Sequence, residues 1–313
     1  MPCARRPLRL KMQGYSKMHD VAQHAAQRIG VVGGGTMGVG IVYVFAMAGF
    51  EVFLVEPDAG STKRALATLR ETATGAVSRG KMTVAAAEAN LARVMTLDST
   101  DGLPEALDLV IETVPEKRAL KEKVLGQIAG RTPKLIASNT SAMSIDELAR
   151  AVRDPETFLG MHFFNPVWSL KLVEVIRGAQ TDEASVSQAC AFAEAIGKSS
   201  AVVTDTPGFA TSRLDLVQAL EAIRMVETGV ARAEDIDRAI TTAYRHPVGP
   251  LRLSDMVGLD VRLDIARQLA GTLGAHFEPP QLLQDMVARG ELGQKSGKGF
   301  YDWPLPETNS KTG

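Results

Sequence analysis

The run Gly33-Gly34-Gly35-Thr36-Met37-Gly38 constrains this chain more than any other stretch. It follows the short apolar segment Arg28-Ile29-Gly30-Val31-Val32 and opens a segment from Met37 to Ala48 with apolar residues at helical spacing; another apolar strand, Val52 to Val55, comes next. A G-x-G-x-x-G turn between a strand and a helix is the dinucleotide fingerprint. Gly33 permits the tight turn, Gly35 lets the backbone approach a pyrophosphate, and Gly38 lets the helix pack close to the strand. The N–H groups at the helix start, around Thr36 and Met37, then attract phosphates. Glu56 lies at the tip of the second strand, about 20 residues beyond the glycines, where an acid binds the adenosine ribose hydroxyls. Its charge repels a 2′-phosphate, so the expected cofactor is NAD rather than NADP.

The alternation of strands and helices continues. A helix over Ser61 to Gly80, a second from about Thr83, a weak strand at Val94 to Leu97 and a buried strand at Leu107 to Glu112 are followed by a helix at Leu120 to Ala129 and a strand at Lys134 to Ser138. This pattern predicts an α/β fold with a doubly wound parallel (Rossmann) sheet, because each crossover lays its helix on one face of the sheet. After residue 205 the strand signals stop, and Ser212 to Val226, Ala233 to Tyr244, Val261 to Leu273 and Gln281 to Arg289 read as helices. The expected organisation is a disordered tail at 1–27, a dinucleotide-binding domain at 28–205 and a second, smaller all-helical domain at 206–313 for substrate and dimerisation. A homodimer is a natural way to bury the apolar residues Leu214, Val217, Leu220, Ile223 and Val226, although packing against neighbouring helices of the same chain would serve too.

Charge and cysteine usage narrow the partners. Thirty-five basic and 36 acidic residues leave a net charge of -1, so no basic field draws in nucleic acid or an anionic membrane, and a small molecule is expected. No apolar run is long enough to span a bilayer. Cys3 and Cys190 build neither a disulfide framework nor a zinc cluster, which suits a reducing, cytoplasmic setting and a site with no metal. Arg5, Arg6, Arg9 and Lys11 give the first residues a bias like that of an organelle transit peptide, although a plain tail is the simpler reading.

Two strand-like stretches, Phe158 to Pro166 and Leu170 to Ile176, flank a short turn region with Pro166 and Trp168. If the turn of this hairpin is centred on Trp168, His162 and Glu174 lie opposite one another on the same side of the ribbon. A carboxylate inside so apolar a strand as Leu172 to Ile176 is costly unless a cation or several donors meet it. Imidazolium is the simplest partner. Glu174 then fixes the tautomer of His162 through one ring nitrogen, and the other collects a proton from a substrate hydroxyl. A structural His–Glu pair within a sheet is the alternative.

Five segments in chain order resemble the 3-hydroxyacyl-CoA dehydrogenase family, in particular its bacterial 3-hydroxybutyryl-CoA branch. They are Ser138-Asn139-Thr140-Ser141, His162-Phe163-Phe164-Asn165-Pro166, Lys171-Leu172-Val173-Glu174, Asp205-Thr206-Pro207-Gly208-Phe209 and Gly293 to Tyr301, and the resemblance covers about residues 28 to 303. It implies hydride transfer between NAD and the 3-carbon of a short-chain L-3-hydroxyacyl-CoA, giving the 3-ketoacyl-CoA. His162 matches the family's catalytic histidine and Glu174 its orienting glutamate. Ser141 matches the serine that hydrogen-bonds the substrate's 3-oxygen and helps to position nicotinamide, though a helix N-cap is the other reading of that serine. Asn165 is similar to a residue lining the substrate pocket, and Asn139 stands in the segment next to the nicotinamide. Glu116 and Lys121 match positions that contact the nicotinamide-side ribose. The chain departs from the family at Ala210-Thr211-Ser212-Arg213, where many members have asparagine near the substrate oxygen. Ser212 is shorter, so acyl preference is the property it bears on.

Two other functions remain open on sequence. One is an NAD-dependent dehydrogenase of a free 3-hydroxy acid or sugar acid, and the other is a dinucleotide-binding protein without turnover. The His-Phe-Phe-Asn-Pro element argues against the first, and the presence of both His162 and Glu174 argues against the second.

Overall fold

The computed structural model describes residues 27–304. The expected tail lies outside them apart from Gln27. Contacts group the described chain into two units: one holds the chain up to Asn139 with Arg150–Val175 and Thr181–Ala201, the other Thr140–Ala149, Ile176–Gln180 and the chain from Val202.

The first unit is built on parallel pairing. Strand β1 (Arg28–Val32) leads through the glycine turn into helix α1 (Thr36–Met47), and β2 (Glu51–Val55) pairs parallel to β1. Ile41, Val42 and Phe45 of α1 are fully buried, each worth roughly 1.5–3 kcal/mol of apolar burial. Helices α2 (Ala59–Ser78) and α3 (Val84–Leu91) start on the side-chain caps Asp58 and Thr83, which accept from Ser61 N–H and Ala86 N–H. Strand β3 (Val94–Leu97) joins β2, and β4 (Leu109–Glu112) pairs with the other edge of β1. Helix α4 (Arg118–Ala129), β5 (Ile136–Ser138) and β6 (Phe158–Phe163) complete the parallel ladders.

Strand β7 (Leu172–Arg177), helix α6 (Glu183–Ala195) and β8 (Ser199–Thr204) extend the sheet, whose order is β3-β2-β1-β4-β5-β6-β7-β8. Its first six strands follow the doubly wound order that reverses direction beside β1, and the fold class is the α/β one read from the sequence. Between β6 and β7 lie only residues 164–171, too few for a crossover, so the pair forms the expected hairpin. Strand β8 escaped the sequence reading because its apolar run, Ala201-Val202-Val203, is short and its residues are exposed or half-buried throughout.

The second unit is helical. It contains α5 (Ile145–Ala149), α7 (Thr211–Glu227), α8 (Ala233–Ala243), α9 (Pro250–Val257), α10 (Leu259–Leu273) and α11 (Gln281–Ala288). Leu216, Leu220, Ile223, Leu251, Leu259 and Phe277 form its core, with Val217 and Val226 packed against it, so of the five apolar α7 residues considered for a dimer face only Leu214 stays exposed. Helix α9 was not anticipated: His246-Pro247-Val248-Gly249-Pro250 reads as a turn, yet Pro250 is the first helical residue, where its fixed φ suits a helix start. Asp237 of α8 supplies the cap, accepting from Leu251 N–H at 2.9 Å and Arg252 N–H at 2.8 Å.

Another buried aspartate organises the segment after α11. Asp255 accepts from Phe300 N–H at 3.0 Å, Tyr301 N–H at 2.9 Å and Trp303 Nε1 at 2.9 Å. A Cβ on Gly299 would lie 2.2 Å from its carboxylate, which explains why glycine stands there. Arg252 covers the rings of Tyr301 and Trp303, and Tyr301 Oη donates to Asp237 at 2.8 Å. Burial, followed by this bond to a carboxylate, pushes the Tyr301 hydroxyl above its ordinary pKa.

Among the described residues no helix is long and apolar enough to cross a membrane. Asp255→Ala strands three donors at once, and about 3 kcal/mol of stability should be lost, read as a lower urea midpoint. An unchanged midpoint would show that the carboxylate does not hold the final segment.

Candidate active site

The glycine turn is shaped by close approach. Gly33, at φ 114, donates its N–H to Val55 O at 2.9 Å, and a Cβ on Gly38 would fall 1.9 Å from Gly33 O. A side chain at 38 would force the turn apart. Gly35 is the reverse case: nothing lies within 4 Å of where its Cβ would be. It is the N-cap of α1 with no side-chain cap bond, so the N–H groups of Thr36, Met37 and Gly38 open on a backbone that a phosphate can approach. Thr113, just beyond β4, buttresses the turn by donating its hydroxyl to Val32 O at 3.1 Å and Gly33 O at 2.9 Å.

Glu56 follows the last residue of β2. Its Oε2 accepts from Gly34 N–H at 2.8 Å and Oε1 from Asp58 N–H at 3.1 Å, so the carboxylate is pinned beside the turn. An uncapped helix start, a turn that admits only glycine at positions 33 and 38, and an acid at the next strand tip fit the phosphates and adenosine ribose of NAD.

Across β1, the tips of β4 and β5 hold a buried ion pair. Glu112, the last residue of β4, is 0% exposed, and Lys121 of α4 is 1% exposed. Lys121 Nζ donates to Glu112 Oε1 at 2.8 Å, Glu112 Oε2 at 3.1 Å and Val114 O at 3.1 Å. It also lies 3.3 Å from Glu116 Oε2, whose side chain is exposed. Ser138 Oγ donates to Glu112 Oε2 at 2.6 Å and Val114 N–H to Oε1 at 2.7 Å. The sequence pointed to Glu116 and Lys121 but not to Glu112 or Ser138. A charge closing an otherwise apolar strand was the available signal.

The hairpin carries the titratable pair. His162 Nδ1 sits 2.8 Å from Glu174 Oε2, with His162 5% exposed and Glu174 0% exposed. So complete a burial allows the carboxylate no solvent as partner, and the imidazole meets it. Asn139, immediately after β5, braces the same strand: its Oδ1 accepts from Phe163 N–H at 2.8 Å while its own N–H donates to Glu112 O at 2.9 Å. Asn165 is exposed directly beyond β6, in the connection to β7. Lys198, absent from the sequence reading, clamps that connection by donating to Val167 O and Leu170 O, both at 2.5 Å. Burial, reinforced by nearby Lys171, lowers the ammonium to about 8. The amine keeps enough protons for both carbonyls when neutral.

Ser141 and Ser212 belong to the second unit. Ser141 is exposed in the loop before α5. The capping serine of α5 is Ser144, whose Oγ accepts from Glu147 N–H at 3.2 Å, so the N-cap alternative passes to that residue. Asp205 fixes this loop by accepting from Ser144 Oγ at 2.7 Å and Asp146 N–H at 2.9 Å. Ser212 is half-buried in the first turn of α7.

Comparison with known proteins gives this geometry a context. The model of the 3-hydroxyacyl-CoA dehydrogenase NAD binding domain matches residues 28–206, and that of the 3-hydroxyacyl-CoA dehydrogenase C-terminal domain matches residues 208–303. The chain is similar to the 3-hydroxybutyryl-CoA dehydrogenase of Bradyrhizobium diazoefficiens, 39% identical over 287 residues that make up 90% of this chain and 98% of that protein. It is 40% identical over 284 residues to the 3-hydroxybutyryl-CoA dehydrogenase of Mycobacterium tuberculosis, covering 89% of this chain and 99% of the relative. The crystal structure of (S)-3-hydroxybutyryl-CoA dehydrogenase from Ralstonia eutropha is similar at a TM-score of 0.85 and 37% identity, over 89% of this chain and 99% of that one.

Proposed function

Given that the chain belongs to the 3-hydroxyacyl-CoA dehydrogenase family and is an NAD-dependent enzyme, we propose that it oxidises short-chain L-3-hydroxyacyl-CoA thioesters, 3-hydroxybutyryl-CoA foremost, with His162 as general base. The observation that carries this reading is the buried His162–Glu174 pair, 2.8 Å apart, in the same unit as the glycine turn. Glu174 orients the ring through Nδ1 and supports the charge it acquires; Nε2 collects the proton from the substrate's 3-hydroxyl. When bound, NAD accepts the hydride from the same carbon. Gly33, Gly35, Thr36, Met37 and Gly38 hold its pyrophosphate, Glu56 the adenosine ribose, and Glu116, Lys121 and Asn139 the nicotinamide side. Ser141, Asn165 and Ser212 line the acyl-CoA site, Ser141 bonding the 3-oxygen. Residues 28–205 thus act as the dinucleotide domain and 206–313 as the substrate and dimerisation domain.

The protein is further proposed to be a cytoplasmic homodimer. Leu214 of α7 is 67% exposed, and Met256, Val257 and Val261 at the α9–α10 junction are also exposed. Asp215 of α7 and Arg262 of α10, next to Leu214 and Val261, are ion-paired, so the two helices adjoin there. A second copy covering them removes the patch from water.

Mixed with NAD, the protein should generate NADH absorbance from 3-hydroxybutyryl-CoA and none from free 3-hydroxybutyrate; the opposite preference sinks the thioester reading. His162→Gln should keep NADH affinity while losing about 10²- to 10⁴-fold in kcat, and near-normal turnover would remove histidine from the chemistry. Replacing Ser212 by Asn should shift KM across acyl chain lengths, whereas identical kinetics would place Ser212 outside the pocket. In sedimentation the wild type should run as a dimer and Leu214→Glu/Val261→Glu as a monomer; a monomeric wild type defeats the interface.

A further inference from the structure

One carboxylate underlies every residue assigned to the nicotinamide side. Glu112 has no solvent contact, and its partners come from three places: Val114 N–H from the loop after β4, Lys121 from α4 and Ser138 from β5. Each partner adjoins an assigned residue. Val114 lies in the loop that presents Glu116, Lys121 reaches the Glu116 carboxylate at 3.3 Å, and Ser138 immediately precedes Asn139. Asn139 in turn receives the N–H of Phe163, the neighbour of His162.

The strand order gives this cluster a side. In a doubly wound sheet the two halves of a dinucleotide lie on either side of the switch point, here beside β1. Glu56 marks the adenosine half at the tip of β2, so β4 and β5 carry the other half.

We propose that Glu112 is a positioning residue for the nicotinamide half of the cofactor, a role that rests on the assignment of Glu116 and Asn139 to that half. It acts by holding Lys121 and Ser138 in one geometry. Lys121, with its ammonium enclosed by Glu112, Val114 O and Glu116, is thereby fixed together with Glu116 on the ribose side of the site. A desolvated carboxylate with all its donors in place is stiff, because any displacement leaves a buried charge partly unpaired.

The test separates the halves of the ligand. Glu112→Gln keeps the side-chain shape and removes the charge. It should raise the Kd for NADH, followed by fluorescence, about tenfold, and leave the Kd for ADP, which reports the adenosine and phosphate sites, unchanged. The KM for NAD should rise in parallel. Equal weakening of NADH and ADP, or of neither, overturns the proposal. Because a lone buried ammonium also destabilises the fold, Glu112→Gln/Lys121→Met provides the control. Removing the uncompensated charge should return Tm towards wild type while NADH stays weak, and recovery of NADH affinity with Tm would show that the pair only stabilises the fold. Absence of thioester oxidation by the wild type would remove the substrate reading without altering this comparison of NADH with ADP.

Discussion

A carboxylate cut off from water must be met by a cation or by several donors, and the sheet of this protein holds two such groups, Glu112 and Glu174. Each recruits a base from elsewhere in the chain: Lys121 from the following helix, His162 from the neighbouring strand. The pairing is demanded by desolvation, and it fixes direction as well as contact. Glu174 takes His162 by Nδ1, which dictates the ring's orientation, and Glu112 takes Lys121 in a way that turns its remaining reach to Glu116. Asn139 links the two clusters, donating its backbone N–H to Glu112 O and accepting from Phe163 N–H through its side-chain Oδ1. The two buried pairs are therefore joined through a single asparagine.

Close packing sets the other half of the site. The turn between β1 and α1 exists only because Gly38 has no side chain to meet Gly33 O, and Thr113 then locks it from the next strand. The helical unit follows the same logic with aspartates. Asp237 caps α9 and Asp255 gathers the backbone of Phe300 and Tyr301, so charges from two helices satisfy N–H groups that no helix or ladder reaches. In both units a buried acid substitutes for hydrogen bonds that regular secondary structure cannot supply.

What could be read from the chain was whatever is local or periodic. Strands β1, β2 and β4 are short apolar runs bounded by turn residues, and the glycine spacing marks its own function. Strand β8 offers only Ala201-Val202-Val203 between serines and a threonine, and α9 hid behind Pro and Gly that signal a turn until a distant aspartate caps the helix they introduce. Lys198 was equally illegible. Its partners are carbonyls of residues 167 and 170, about which side-chain chemistry says nothing.

The amino-acid sequence by itself determined the strand–turn–helix start, the acid at the tip of β2 and the presence of a histidine and a glutamate equally spaced about Trp168, because each depends on residues close together along the chain. Only the tertiary structure decided that Glu112 is fully desolvated, that Lys121 points inward to it and that Ser144 rather than Ser141 caps α5. Burial is a property of the packed sheet and its covering helices. Once burial forces a charge to find partners, those partners are chosen by proximity in space, which spacing along the chain does not encode.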